Sequence, residues 1–387
     1  MPRHGILLLV VAALLASAWS GRADVAVQDR GVQIGLIYNQ SGSQAELDVP
    51  SWHGARLAIS QINEKGGLLG HPVQWSLADG RSDPRLLRQK TAELFKSHPS
   101  TSVLMGLSDT DMVLAAASVA EQNGRVFVTS GATSPRLPAA LPGHLFLACF
   151  GDNVQAAAAA EWSHQALKAR TAVILFNETM SYTKLLQGYF RTRFEQLGGR
   201  VLAARRYGLD DLEGPTAGLP KADMIFISAG PAEAVRLSVV LRRQGITVPI
   251  VGGDGLDLEK AWLRHPDMNK VYFTTHVYLG ADNPDPVVSA FRKTYLAAYP
   301  EAVPDAFAAL GYDTAQLVAA AITAAGSADP AKFGAALGAI SDFHGVTGTI
   351  SYTGGSAIPK KSVSIVEIAA GRRRFVEKLM PADVPPP

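Results

Sequence analysis

The segment Thr129-Ser130-Gly131-Ala132-Thr133-Ser134-Pro135 ends a short apolar run, RVFV, in four hydroxyl residues, a glycine and a proline. A loop of this kind is either an ordinary turn or a set of hydroxyls and bare N–H groups that can replace the hydration of a carboxylate. Two other segments have the same character: Ser108 and Thr110 follow the run SVLMGL, and Asp254 stands between glycines after TVPIVG. Donors in the first two and an acid in the third suit a small ligand with a carboxylate at one end and a cation at the other. Each residue also has a plainer reading. Thr110 can cap a helix, Asp254 can serve only its turn, and Leu47 and Trp52 can line a crevice or belong to helix core.

Catalytic motifs find little support. GLSDT, residues 106–110, lacks the second glycine of a nucleophile elbow, and the chain has neither a P-loop nor a G-x-G-x-x-G. The nine histidines show no i, i+4 pair, and the single cysteine, Cys149, excludes a thiolate cage. No metal, cofactor or enzymatic reaction is expected. Cys149 sits between LFLA and Phe150 and reads as a small buried hydrophobe.

These residues must be positioned by strands and helices in alternation. Runs of strand length (VQIGLIYN, PVQWSLAD, SVLMGL, RVFVTS) alternate with helical periods that carry capping signals, such as Asp83 before Pro84. A second such series runs from residue 153 to KVYFTT, followed by a mainly helical part from Pro284. GVTGTISYT and KSVSIVEIAAGRRRF read as one late hairpin. The pattern predicts an α/β fold of two doubly wound, Rossmann-like units with parallel strands. In such sheets ligands bind beyond the carboxyl ends of strands, which is where the three polar clusters fall.

At 387 residues, 47% hydrophobic and 18% charged, the chain is large enough for two packed units and far from disordered composition. Its first residues, MPRHGILLLVVAALLASAWSGRADV, have the basic start, apolar run and small-residue exit of a secretory signal peptide. Cleavage fits after Ala18 or, preferably, after Ala23. Removal of residues 1–23 takes away Arg3 and Arg22 and no acid, so the formal charge falls from +2 to zero. A neutral chain has no electrostatic reason to seek nucleic acid or anionic lipid. No later apolar run is read as membrane-spanning, so a periplasmic, soluble protein is expected.

INEKGGLLGHPVQWSLADGRSDP, residues 62–84, resembles the N-terminal signature of periplasmic solute-binding proteins of the branched-chain amino acid (Leu/Ile/Val) ABC transporter family. The resemblance continues through MGLSDTDMVLAAASVAEQNGRVFVTSGATSP, VGGDG, VYFTTHVY and DAFAALGYDT, covering nearly the whole mature chain. It implies a type I bilobed fold, with three crossings and hinge closure on a ligand. The expected lobes are residues 30–149 with about 278–350, and 150–277 with about 351–380.

The resemblance also implies that Thr110 and the backbone and side chains of Gly131, Ala132 and Thr133 hold the ligand carboxylate. Tyr182 packs on the ligand, Asp254 takes its ammonium, and Phe307 is a further aromatic wall. Three departures bear on specificity: NQSGSQAELDVPSW lacks the family's G-P-x-A pattern, Leu47 stands where some members have an aromatic, and Thr183 follows Tyr182 where glycine is common. The expected function is therefore capture of a small carboxylate, foremost an amino acid, by a monomer that delivers it to an inner-membrane ABC permease. Alternatives are an aromatic or other non-amino-acid carboxylate or an amide, a ligand-sensing partner of a regulator, and an enzyme.

Overall fold

The computed structural model of the chain describes residues 31–387, so the export segment and both cleavage positions lie outside the described residues. A first series holds β1 (Val32–Tyr38), α1 (Ala45–Glu64), β2 (Val73–Asp79), α2 (Pro84–Ser97), β3 (Thr101–Gly106), α3 (Thr110–Gln122), β4 (Val126–Thr129), the single turn α4 (Leu137–Ala140) and β5 (Leu145–Leu147). The second comprises α5 (Asp152–Gln165), β6 (Thr171–Asn177), α6 (Ser181–Gln196), β7 (Arg200–Tyr207), β8 (Met224–Ser228), α7 (Ala234–Arg243), β9 (Ile250–Gly252), α8 (Glu259–Trp262) and β10 (Val271–Thr275). The remainder forms α9 (Pro286–Ala298), α10 (Ala306–Ala325), α11 (Pro330–Gly338), β11 (Phe343–Gly345), β12 (Gly348–Ile350), β13 (Val363–Ala369) and β14 (Arg372–Leu379).

Local chemistry explains many of the boundaries. Asp83, Asp109, Asp285, Asp305 and Asp329 each accept N–H groups of the helix that follows, and proline opens α2, α9 and α11. β1 and β8 are buried at every position, as parallel strands covered on both faces must be.

The first sheet has the order β2-β1-β3-β4-β5, and all its pairs are parallel. The second repeats that order as β7-β6-β8-β9-β10 and adds β13 and β14 antiparallel at the β10 edge. Strand order reverses between β1 and β3 in one sheet and between β6 and β8 in the other, giving two crevices at carboxyl ends.

Two expectations need correction. The late segments form two hairpins: β11 pairs with β12, while KSVSIVEIAAGRRRF folds on itself as β13 and β14. Its two-residue turn is Ala370-Gly371, with φ of 50° and 69°, the left-handed pair that matches strand twist. Second, α10 is long and apolar enough to cross a membrane by length and composition, although 78% of its apolar stretch is buried. It packs along α1 so closely that a Cβ on Gly311 would lie 1.8 Å from the Ser51 carbonyl oxygen.

Candidate functional site

Strand ends from both sheets meet around one narrow cavity. Leu47 on α1, Ser108 after β3 and Thr133 after β4 form the side nearer the first sheet, with Phe307 from α10. Tyr182 on α6, Pro231 after β8 and Asp254 after β9 close it from the second, and Met180, Asp109 and Gln44 complete the polar and apolar rim. The structure thus brings Leu47, Ser108, Thr133, Tyr182, Asp254 and Phe307 together.

Asp254 is the best-connected group in this wall. Its Oδ1 accepts from Tyr182 Oη at 2.9 Å and Gln155 Nε2 at 3.0 Å, and its Oδ2 lies 3.1 Å from His276 Nε2. Gln155 carries the network further. Its Nε2 also donates to Asp152 Oδ1 at 3.0 Å, and its Oε1 accepts from Asp254 N and Thr274 Oγ1. Thr133 Oγ1 donates to the same Asp152 oxygen at 2.6 Å. A carboxylate offers about four lone-pair positions, so these three donors leave Asp254 one for a ligand, on Oδ2.

Burial dominates the electrostatics. It pushes Asp152 up to about 8, with the nearby Asp254 charge adding to the shift, and holds Asp109 at about 6 and Asp48 at about 7. Burial also lowers His276, which stacks on Phe150 at 3.8 Å between ring centroids. Its Nδ1, Asp152 Oδ2 and Ser108 Oγ are buried without hydrogen-bond partners. Of these residues Ser108 lines the cavity, where an orphaned hydroxyl can be completed by a ligand, while Asp152 and His276 stand behind its wall.

The hydroxyl loop differs from expectation in its donors. Gly131 N donates to Leu107 O at 3.1 Å and Ala132 N to Thr129 Oγ1 at 3.1 Å, so neither N–H faces a ligand. The free donors are Thr133 N–H and Ser108 Oγ. Gly131 is required for space instead: a Cβ there would sit 3.0 Å from both Phe307 Cε1 and Ser108 Oγ. Thr110 does not cap α3, because Asp109 does, accepting from Asp111 N and Met112 N at 3.0 Å. The Thr110 hydroxyl is buried, unpartnered and outside this cavity. Trp52 also lies outside it, packed against the first-sheet core with Arg56 over its ring at 4.8 Å.

The Periplasmic binding protein family model matches residues 31–373. The chain belongs to the periplasmic binding protein family. Among curated relatives, the Leu/Ile/Val-binding protein BraC3 of Rhizobium johnstonii is 26% identical, the match covering 88% of this chain and 92% of that protein. The structure of LivJ from Streptococcus pneumoniae in complex with isoleucine aligns at a TM-score of 0.83 with 25% identity, covering 91% of this chain and all of that one. LivK from Thermotoga maritima, described as a leucine-binding protein, aligns equally well at 27% identity over the same shares. An R. palustris solute-binding protein in complex with benzoate shares the fold, with a TM-score of 0.79 and 21% identity over 92% of this chain and 98% of that one.

In this periplasmic binding protein the residues that sequence reasoning missed are Asp152, Gln155 and His276. Asp152 opens a helix behind the hydroxyl loop, and His276 stands one residue past β10. The position of His276 beyond a strand end was the only available signal, because all three act through partners 19 to 119 residues away.

Proposed function

We propose that this periplasmic binding protein is the exported capture component of an ABC importer, closing two lobes on a branched-chain amino acid. The supporting observation is the single cavity in which Ser108 Oγ and Thr133 N–H stand free on one side and Asp254 on the other. The two donors suit the ligand carboxylate, and the open lone pair of Asp254 suits its ammonium group. Leu47, Met180 and Phe307 supply the apolar wall for an aliphatic side chain. The names of BraC3, LivJ and LivK support the same ligand class. Release to an inner-membrane permease follows from the role, and the apolar export segment is consistent with it.

A second reading keeps the fold and replaces the amino acid by another carboxylate. Three donors already on Asp254 favour it, since they satisfy that acid without an ammonium group. Thermal-shift and calorimetric titrations with leucine, isoleucine, valine, benzoate and 4-hydroxybenzoate separate the two. A ligand at 100 times its dissociation constant adds about 2.7 kcal/mol of stability. Leucine is expected to bind, and Asp254→Asn to weaken it about 10-fold to 100-fold, the worth of a hydrogen bond to charge. Retained affinity in Asp254→Asn favours the second reading. No response to any carboxylate defeats both.

A further inference from the structure

Beside the central cavity lies a second, larger and more open one of about 380 Å³, walled by α3, the loop after β4, α4 and α6. The two share a partition built from neighbouring residues. Asp109, Thr133 and Tyr182 face the central cavity, while Thr110, Ser134 and Ser181, their immediate chain neighbours, face the second. None of the second cavity's other walls, from α3, α4 and α6, takes part in the central site.

The polar groups of this cavity are donors in excess. Thr110 is 4% exposed, and its hydroxyl is buried with no partner. Ser134 is 1% exposed, and its Oγ only accepts, from Arg136 N at 3.4 Å, so its O–H has no acceptor. Arg136 and Lys184 lie on opposite sides, one before α4 and one on α6, and neither forms an ion pair among the described residues. The first turns of α3 and α6 also border it, but Asp109 caps the one and Asp111 the other, so the anion-binding capacity rests on the side chains. Between these groups the surface is mainly aliphatic, from Leu114, Leu137 and Leu185.

We propose that this cavity is a second ligand site, for a small amphipathic monocarboxylate. The carboxylate would lie between Thr110, Ser134 and the two cations, and the alkyl chain along the leucines. Thr110 and Leu114 belong to one lobe and Lys184 and Leu185 to the other. A ligand there therefore binds the closed arrangement in preference to any open one, and closure and occupancy reinforce each other. The site stands independently of the ligand class in the central cavity.

Hexanoate is the probe. Calorimetric titration of the mature protein is expected to show hexanoate binding that persists in Gly131→Ala, whose added methyl crowds Ser108 and Phe307 in the central cavity. It should weaken about tenfold or more in Thr110→Val and in the double variant Arg136→Gln/Lys184→Gln, the effect of removing charge-assisted donors. The two sets of substitutions are buried and exposed respectively, so the exposed pair keeps the test valid if Thr110→Val fails to fold. Binding that is lost in Gly131→Ala but kept in the Arg136/Lys184 double variant would place hexanoate in the central cavity and overturn the proposal. So would the absence of hexanoate binding altogether.

Discussion

Gly131 and Asp254 show how single residues set this site. Gly131 provides room, because Phe307 and Ser108 both approach within 3.0 Å of where its side chain would begin. Overpacking of this kind costs about 1–3 kcal/mol. Gly131→Ala is therefore expected to lower the melting temperature by several degrees and to weaken central-cavity binding, since the displaced neighbours both line that cavity. A variant with unchanged affinity would show that Phe307 and Ser108 move aside without consequence. That Thr133 and Asp254 line one cavity was legible in the sequence because both follow apolar strands, whose carboxyl ends gather in this fold. The destination of the Gly131 N–H was not, since it depends on Leu107, which only the folded loop brings to 3.1 Å.

At the scale of elements, the helix α6 begins with Met180 as its N-cap, which offers no side-chain acceptor. The missing cap comes from across the cleft. Asp111, in the first turn of α3, accepts from Ser181 N at 3.1 Å and Ser181 Oγ at 2.6 Å. A helix N-terminus in one lobe is thus satisfied by a carboxylate of the other, a contact that exists only when the lobes are together. A cap is worth about 0.5–2 kcal/mol. Asp111→Ala is expected to reduce ligand affinity about 2-fold to 30-fold with stoichiometry unchanged, although Asp111 does not line the central cavity. Small-angle scattering of the ligand-free variant should show a larger radius of gyration than wild type where closure depends on this contact. Equal affinity and equal radius would assign the contact to packing alone. Strand and helix positions were readable from period and caps, as at Asp83-Pro84 and Asp305. The pairing of the late strands was not: hydrophobic alternation marks strands without naming partners, and the decisive Ala370-Gly371 turn carries only one glycine.

Across the whole molecule, buried carboxyl groups tie stability to pH. Burial pushes Asp48 to about 7 and Asp152 and Asp305 to about 8, each far above an unfolded aspartate near 3.8. Between those values the native state holds protons that the unfolded state has lost, so stability falls as pH rises toward the folded pKa. Buried His276 works in the opposite direction, but only below its ordinary value of 6.5. Lys361, lowered to about 8, adds stability with rising pH only above that point. The window from about pH 6.5 to 8 therefore belongs to the carboxyls. Each full proton of difference contributes about 1.4 kcal/mol per pH unit. The melting temperature of the ligand-free protein is expected to fall by several degrees across this window. Asp152→Asn should flatten the slope, because asparagine keeps the Oδ1 that accepts from Thr133 and Gln155 and removes the titrating proton. A flat or rising wild-type profile would mean that these carboxyls are ionised in the folded protein.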